Sequence, residues 1–157
     1  MGYSHSLRRF LLVIPLLLLA LLFLGGGARH VYFDLAYTSV DTELSFWGRE
    51  DYTPTQRTIE RTGATLDLLL GHRPEHADYL ARQAYWLSWQ GFFTTDISQR
   101  LEFNRQATQR QHLALRARPA YRQGWIEMIE YASRTSGGAP LLAQAQYRFD
   151  ALLPPTL

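Results

Sequence analysis

Few side chains in this sequence stand at spacings that do chemistry. His72 and His76 lie four apart, the spacing of two metal ligands on one helix face, but Pro74 stands between them and breaks that face. They read as solvated histidines flanking a turn, and His30 and His112 are isolated. Glu127 and Glu130 are three apart on a helical stretch, where a carboxylate pair can divide into acid and base. On an exposed helix face such acids are simply solvated. There is no GxSxG, no HExxH and no phosphate-cradling glycine loop, and Gly25-Gly26-Gly27 lacks the Lys-Ser/Thr that would come next in one. Cysteine is absent, which excludes disulfides, thiolate metal sites and a thiol nucleophile. The expectation is a non-enzyme with no metal and no cofactor.

Two groups of residues are better suited to binding than to catalysis. Tyr85, Trp86, Trp89, Phe92 and Phe93 crowd one helix and its end. Flat rings take the apolar faces of sugars, and they also fill cores. Beyond them stand Arg100, Arg105, Arg110, Arg116, Arg118 and Arg122, with Glu102 the one acid among them. On a helix Arg100, Arg105 and Arg110 drift in a slow spiral. Arg105, Arg110 and Arg116 are the trio through which an acidic partner or an anionic polymer would be met. A solvated face, or pairing with acids elsewhere in the chain, is the structural alternative.

The elements that must position these groups are helical. Val40, Leu44 and Trp47 continue a three-to-four spacing begun at Phe33 and Tyr37, until Gly48 breaks it. Thr53-Pro54-Thr55-Gln56 predicts a helix start with Thr53 as N-cap and Pro54 in the first turn. Ile59, Gly63, Leu66 and Leu70 form the expected buried stripe of that helix, which ends at Gly71. An aromatic helix from about Glu75 to Gln90 comes next, then one from Asp96 to Ala117 with Ile97, Leu101, Thr108 and Leu115 along one side. Pro119 stops it. Further helices span 120–133 and the stretch opened by Pro140.

The segments LLLGHRP, LALRARP and FDALLPP close three helical hairpins. Ala107, Ala114 and Pro119, with Trp125 after them, stand at the spacing of the second helix and exit turn of a tetratricopeptide-type repeat, whose period is about 34 residues. The small residues let a neighbouring helix approach, and the Trp fills the remaining hole. The middle unit is longer than that period, and the excess falls on WQGFFTTDISQ. Gln111 stands where the second helix of such a repeat wants Phe. The expected fold is all-α: an N-terminal transmembrane helix and then stacked helical hairpins.

Charge and hydropathy bear on location. The chain has 157 residues and its sixteen basic residues are all Arg. Beyond Arg8 and Arg9 the remaining Arg balance the acids, so the basic pI is no argument for nucleic acid. From Phe10 to Ala28 there is no charge, a length that crosses a hydrocarbon core of about 30 Å as a helix. Arg8-Arg9 before it favour a cytoplasmic N-terminus. A cleaved signal peptide is the alternative, with Gly26-Gly27-Ala28 as small residues for cleavage. Both readings put residues 29–157 outside the cytoplasm. The expected organisation is an anchor or signal at 1–28, a juxtamembrane helix and linker at 29–53 and a repeat-like helical domain at 54–157.

The segments TELSFWGREDYTPT, HRPEHADYLARQAYWLSWQG, HLALRARPAYRQGWIEMIEYASRT and AQAQYRFDALLPP resemble the VpsP-type polysaccharide biosynthesis proteins. The most specific parts are Phe46-Trp47-Gly48-Arg49, and Arg118-Pro119 with Trp125. That resemblance implies one N-terminal segment in the bacterial inner membrane and a helical, tetratricopeptide-like periplasmic body. It implies a non-catalytic accessory or scaffold role in exopolysaccharide or capsule assembly or export, with other assembly proteins as partners. No catalytic residue carries over. Direct binding of an anionic polysaccharide, and a helper role in a pilus or secretion complex, remain as alternatives. Trp47, Arg49, Trp86 and Trp89 join Arg105, Arg110 and Arg116 as candidate contacts.

Overall fold

The computed structural model describes residues 26–152. The expected anchor at 1–28 lies almost wholly outside them. Among the described residues the fold is all-α, and no helix is long and apolar enough to cross a membrane. Helix α1 covers 26–46, and after it come α2 (Gln56–His72), α3 (Ala77–Phe93), α4 (Ile97–Ala117), α5 (Arg122–Ser133) and α6 (Ala139–Ala151). The chain divides into two units at Ala36/Tyr37. In the first, Val31, Tyr32 and Leu35 are exposed and Arg29 lies over the Phe33 ring.

The second unit starts at Tyr37, earlier than the expected boundary at 54, because Val40, Leu44 and Trp47 are core residues. Their i, i+4, i+7 spacing puts them on one stripe of α1. Gly48 then turns the chain with a φ of 88°, a left-handed conformation that a side chain disfavours. The turn is tied back through Glu43, whose Oε1 accepts from Trp47 Nε1 at 2.9 Å and from the Tyr52 hydroxyl.

Helix α2 starts at Gln56, and its cap is Thr55: the Thr55 hydroxyl accepts from the Thr58 amide at 3.2 Å. Thr53 is therefore not the cap, and Gln56 donates to Glu60 one turn on. The buried stripe is Thr62, Gly63, Leu66 and Leu69, so Leu69 takes the place expected of Leu70. At Gly63 the backbone passes so close to α3 that a Cβ would stand 2.6 Å from Trp86 Cζ2. Trp86 also donates from Nε1 to the Ile59 carbonyl at 3.1 Å.

Helix α3 runs on through Gly91 to Phe93. Gly91 does not end it; it is the place where α4 comes closest, with Asn104 Oδ1 3.0 Å from where a Cβ would be. Helix α4 begins with Asp96 as cap, accepting from the Gln99 amide at 3.0 Å. Each helix from α2 onward packs on the next. Two apolar clusters join them. Ala84, Leu87, Ala107 and Tyr131 unite α3, α4 and α5, and Leu115, Trp125, Met128 and Ala145 unite α4, α5 and α6. Burying each large side chain contributes roughly 1.5–3 kcal/mol, so these clusters hold the body together far more than its surface ion pairs do.

From Tyr37 onward α1 lies against α3 in the same direction. Tyr37 meets Tyr79 with ring centroids 5.4 Å apart, Asp41 pairs with Arg82 at 2.5 Å, and Trp47 meets Trp89 at 6.2 Å. Thr135, just past α5, bonds to the Asn104 carbonyl and the Thr108 hydroxyl of α4. The first two turns of α4, with the end of α3, thus project about 10 Å beyond α5, at 1.5 Å per residue. Ile97 and Leu101 fall on this projection and are exposed, contrary to the expected buried side.

A candidate binding groove and an apolar tip

A groove runs between α3 and α5. Two adjoining cavities of about 340 and 270 Å³ sit there and share Ser88, Phe92 and Arg134. One wall comes from α3: Tyr85, Ser88, Trp89 and Phe92, whose four-residue and three-residue spacings bring them to one face. The other comes from α5, with Glu130, Tyr131 and Arg134, and the end is closed by Arg100 and Asn104 of α4.

The rings are fixed from behind. Trp89 packs tilted on Phe93 at 5.4 Å and edge-on to Tyr85 and Trp47, both at 6.2 Å. Phe92 stands edge-on to Trp89 at 5.3 Å with an interplanar angle of 80° and is 72% exposed. Tyr131 is buried, and burial pushes its phenol far above the usual range, so it is a neutral hydroxyl. Arg134 Nη2 donates to Glu130 Oε1 at 2.6 Å, and Arg100 Nη2 to the Thr94 carbonyl at 3.1 Å. Each guanidinium carries five N–H donors, so both make one bond here and keep donors to spare.

Below the groove, the carboxylate pair of the sequence divides. Glu130 belongs to Arg134, whereas Glu127 turns into the body and accepts from Gln111 Nε2 at 3.2 Å. Burial raises the Glu127 carboxyl above its ordinary range, against the pull of Arg82 and of hydrogen bonds from Gln123 and Gln111. Gln111 also donates to the Gly124 carbonyl at 2.9 Å. The position that wants Phe in a repeat is thus a polar bridge between α4 and α5.

The remaining candidates are scattered over the body. Trp47, a candidate contact with burial as its alternative, is only 3% exposed; it is core. Arg49 is on the surface, with its guanidinium 4.4 Å over the Phe46 ring and Nε donating to the Ser45 carbonyl. Trp86 is held between α2 and α3 and is structural. Trp89 lines the groove. Arg105, Arg110 and Arg116 do not converge. Arg105 is bound in bidentate fashion by Glu102, and that hydrogen bond with the one from Gln106 lowers the Glu102 carboxyl to about 2. Arg110 is half-buried, and Arg116 lies at the far end of α4 beside Pro74 and Leu113. Arg118 pairs with Asp78 at 2.5 Å and covers the Tyr121 ring. Ala107 and Ala114 are buried, and Trp125 is buried with its Nε1 donating to the Pro119 carbonyl.

Arg134, Asn104 and Tyr131 were missed by sequence reasoning. Their link to the aromatic helix is purely spatial, and the one local signal is the i, i+4 pair Glu130–Arg134. Among the described residues, no group of three or more His, Asp and Glu is placed to hold a metal. The class defined by fold and site is an all-α domain of successive hairpins with an aromatic, arginine-rimmed groove and a projecting apolar tip. No family model, no curated protein and no solved structure matches the chain.

Proposed function

We propose that this protein is a non-catalytic accessory subunit of bacterial exopolysaccharide or capsule assembly or export. Its apolar run, residues 10–28, holds it to the inner membrane, and its helical body works in the periplasm as a tetratricopeptide-like stack. Three things support this reading. The charge-free run comes directly after Arg8-Arg9. The four quoted segments resemble VpsP-type proteins. The stretch from Tyr37 packs on α3, α3 meets α5 at Tyr131, and each helix from α2 onward packs on its successor, as stacked hairpins do.

The observation that carries partner binding is the tip. Ile97 is 71% exposed and Leu101, one turn on along the same face of α4, is 46% exposed. Such a pair of large apolar side chains outside the core is the surface assigned here to a protein contact. It lies at the end of α3 opposite Tyr79. The partner is a protein that docks on this tip.

Crosslinked capture of the tagged full-length chain from solubilised membranes tests this. The expected prey is a polysaccharide polymerase, flippase or export subunit, lost when Ile97→Asp and Leu101→Asp are combined. Pilus or secretion components as prey would replace the pathway. Undiminished capture by the double variant would remove the tip as the contact.

A further inference from the structure

We infer that the groove between α3 and α5 is a binding site for an acidic saccharide. Phe92 and Trp89 form a near-right-angled corner, with Phe92 largely open to solvent. A pyranose laid on one ring meets the edge of the other, and the C–H faces of sugars pack on such rings. Facing the corner are Arg134, Arg100 and Asn104. Each guanidinium is directed by one hydrogen bond, Arg134 to Glu130 and Arg100 to the Thr94 carbonyl, with its other donors free for a ligand. Arg100, Arg134 and Glu130 together leave one positive charge, the complement of one carboxylate per sugar. Arg binds carboxylates through paired N–H donors, and Asn104 and Glu130 are partners for hydroxyls.

The same chemistry disfavours a peptide. The groove walls are helices, whose backbone groups bond within themselves, so an extended chain finds no edge to pair with. An apolar helix seated there would strip water from the Glu130–Arg134 pair without replacing its hydrogen bonds. A hydroxylated ligand replaces them. The site is separate from Ile97 and Leu101, so it stands or falls independently of protein docking at the tip.

Titration of the full-length chain in detergent with oligogalacturonate tests the site, read by calorimetry and by tryptophan fluorescence, which Trp89 reports. Saturable binding is expected, weakened at least 10-fold by Phe92→Ala, by Arg100→Ala and by Arg134→Gln, with maltotetraose at least 10-fold weaker. Phe92 and Arg100 are exposed, so circular dichroism of these two variants should match the unaltered chain. Arg105→Ala, outside the groove, should bind as the unaltered chain does. Absence of saturable binding overturns the inference. So does equal affinity for polyglutamate, which would mark an acidic-peptide site, or equal loss in Arg105→Ala, which would mark diffuse charge attraction.

Discussion

Trp125 donates its indole N–H to the carbonyl of Pro119 at 2.8 Å, so the residue that fills the gap between α4, α5 and α6 also fastens the turn that leads into it. Pro119 cannot continue α4, and its carbonyl would be left without a partner in the turn. One side chain thus couples the stop of one helix to the packing of the next. Trp125→Ala should cost about 3–5 kcal/mol, the range for emptying an aromatic core site. Trp125→Phe keeps most of the volume and loses the hydrogen bond, for about 1–2 kcal/mol. Urea unfolding curves of the two variants separate packing from the bond; equal losses would show that the ring's packing adds nothing beyond the bond.

Gly63 meets Trp86 with no room for a side chain. Gly63→Ala gains about 1 kcal/mol of helix propensity but forces α2 and α3 apart, and overpacking costs about 1–3 kcal/mol. The net expectation is a loss of up to about 2 kcal/mol, together with a red shift of tryptophan emission. Adding Trp86→Phe should restore part of it, since the smaller ring gives the Cβ space. A double variant no better than the sum of the singles would exclude this contact as the cause.

Gln111 is almost fully buried and bridges the Gly124 carbonyl and Glu127. Gln111→Leu removes both bonds and leaves a carbonyl and a carboxylate facing an apolar group, at a cost of about 1–3 kcal/mol. Thermal melts at neutral pH would read it. A rise in Tm would mean that the polar bridge is a burden to the fold.

Glu127 carries the pH dependence. Burial raises its carboxyl in the folded body, so protonation favours folding. Its favourable contribution is complete below the unfolded-chain value and is lost as pH rises through the higher folded value. Glu127→Gln mimics the protonated form at every pH. The variant's Tm advantage over the unaltered chain should therefore grow between pH 4 and pH 7. A constant difference across that range would show that Arg82 and the hydrogen bonds offset burial.

The two motifs that carried the family resemblance perform local structural work. Trp47 and Gly48 seat the end of α1 on α3, and Arg49 covers Phe46. Arg118 pairs with Asp78, while Trp125 closes its turn. Such jobs leave strong marks in a sequence, because a large ring, a glycine and a proline at fixed spacing have few substitutes. Binding surfaces leave weaker marks. Ile97 and Leu101 have the same apolar side chains whether a helix covers them or not.

Helix type, helix order and most helix ends were determined by the sequence alone, since they depend on neighbours three or four residues apart: Asp96 capping Gln99, Gly48 breaking α1, Pro119 stopping α4. The tertiary structure decided what lies between helices. It took Leu69 in place of Leu70, turned Trp47 inward and drew α1 into the body from Tyr37 onward. It also separated Arg105, Arg110 and Arg116, and brought Arg100 and Arg134 together across a groove that also holds Phe92. The physical reason is range. Caps and breaks act within a turn of chain, whereas a groove joins residues about 40 positions apart whose meeting depends on how whole helices pack.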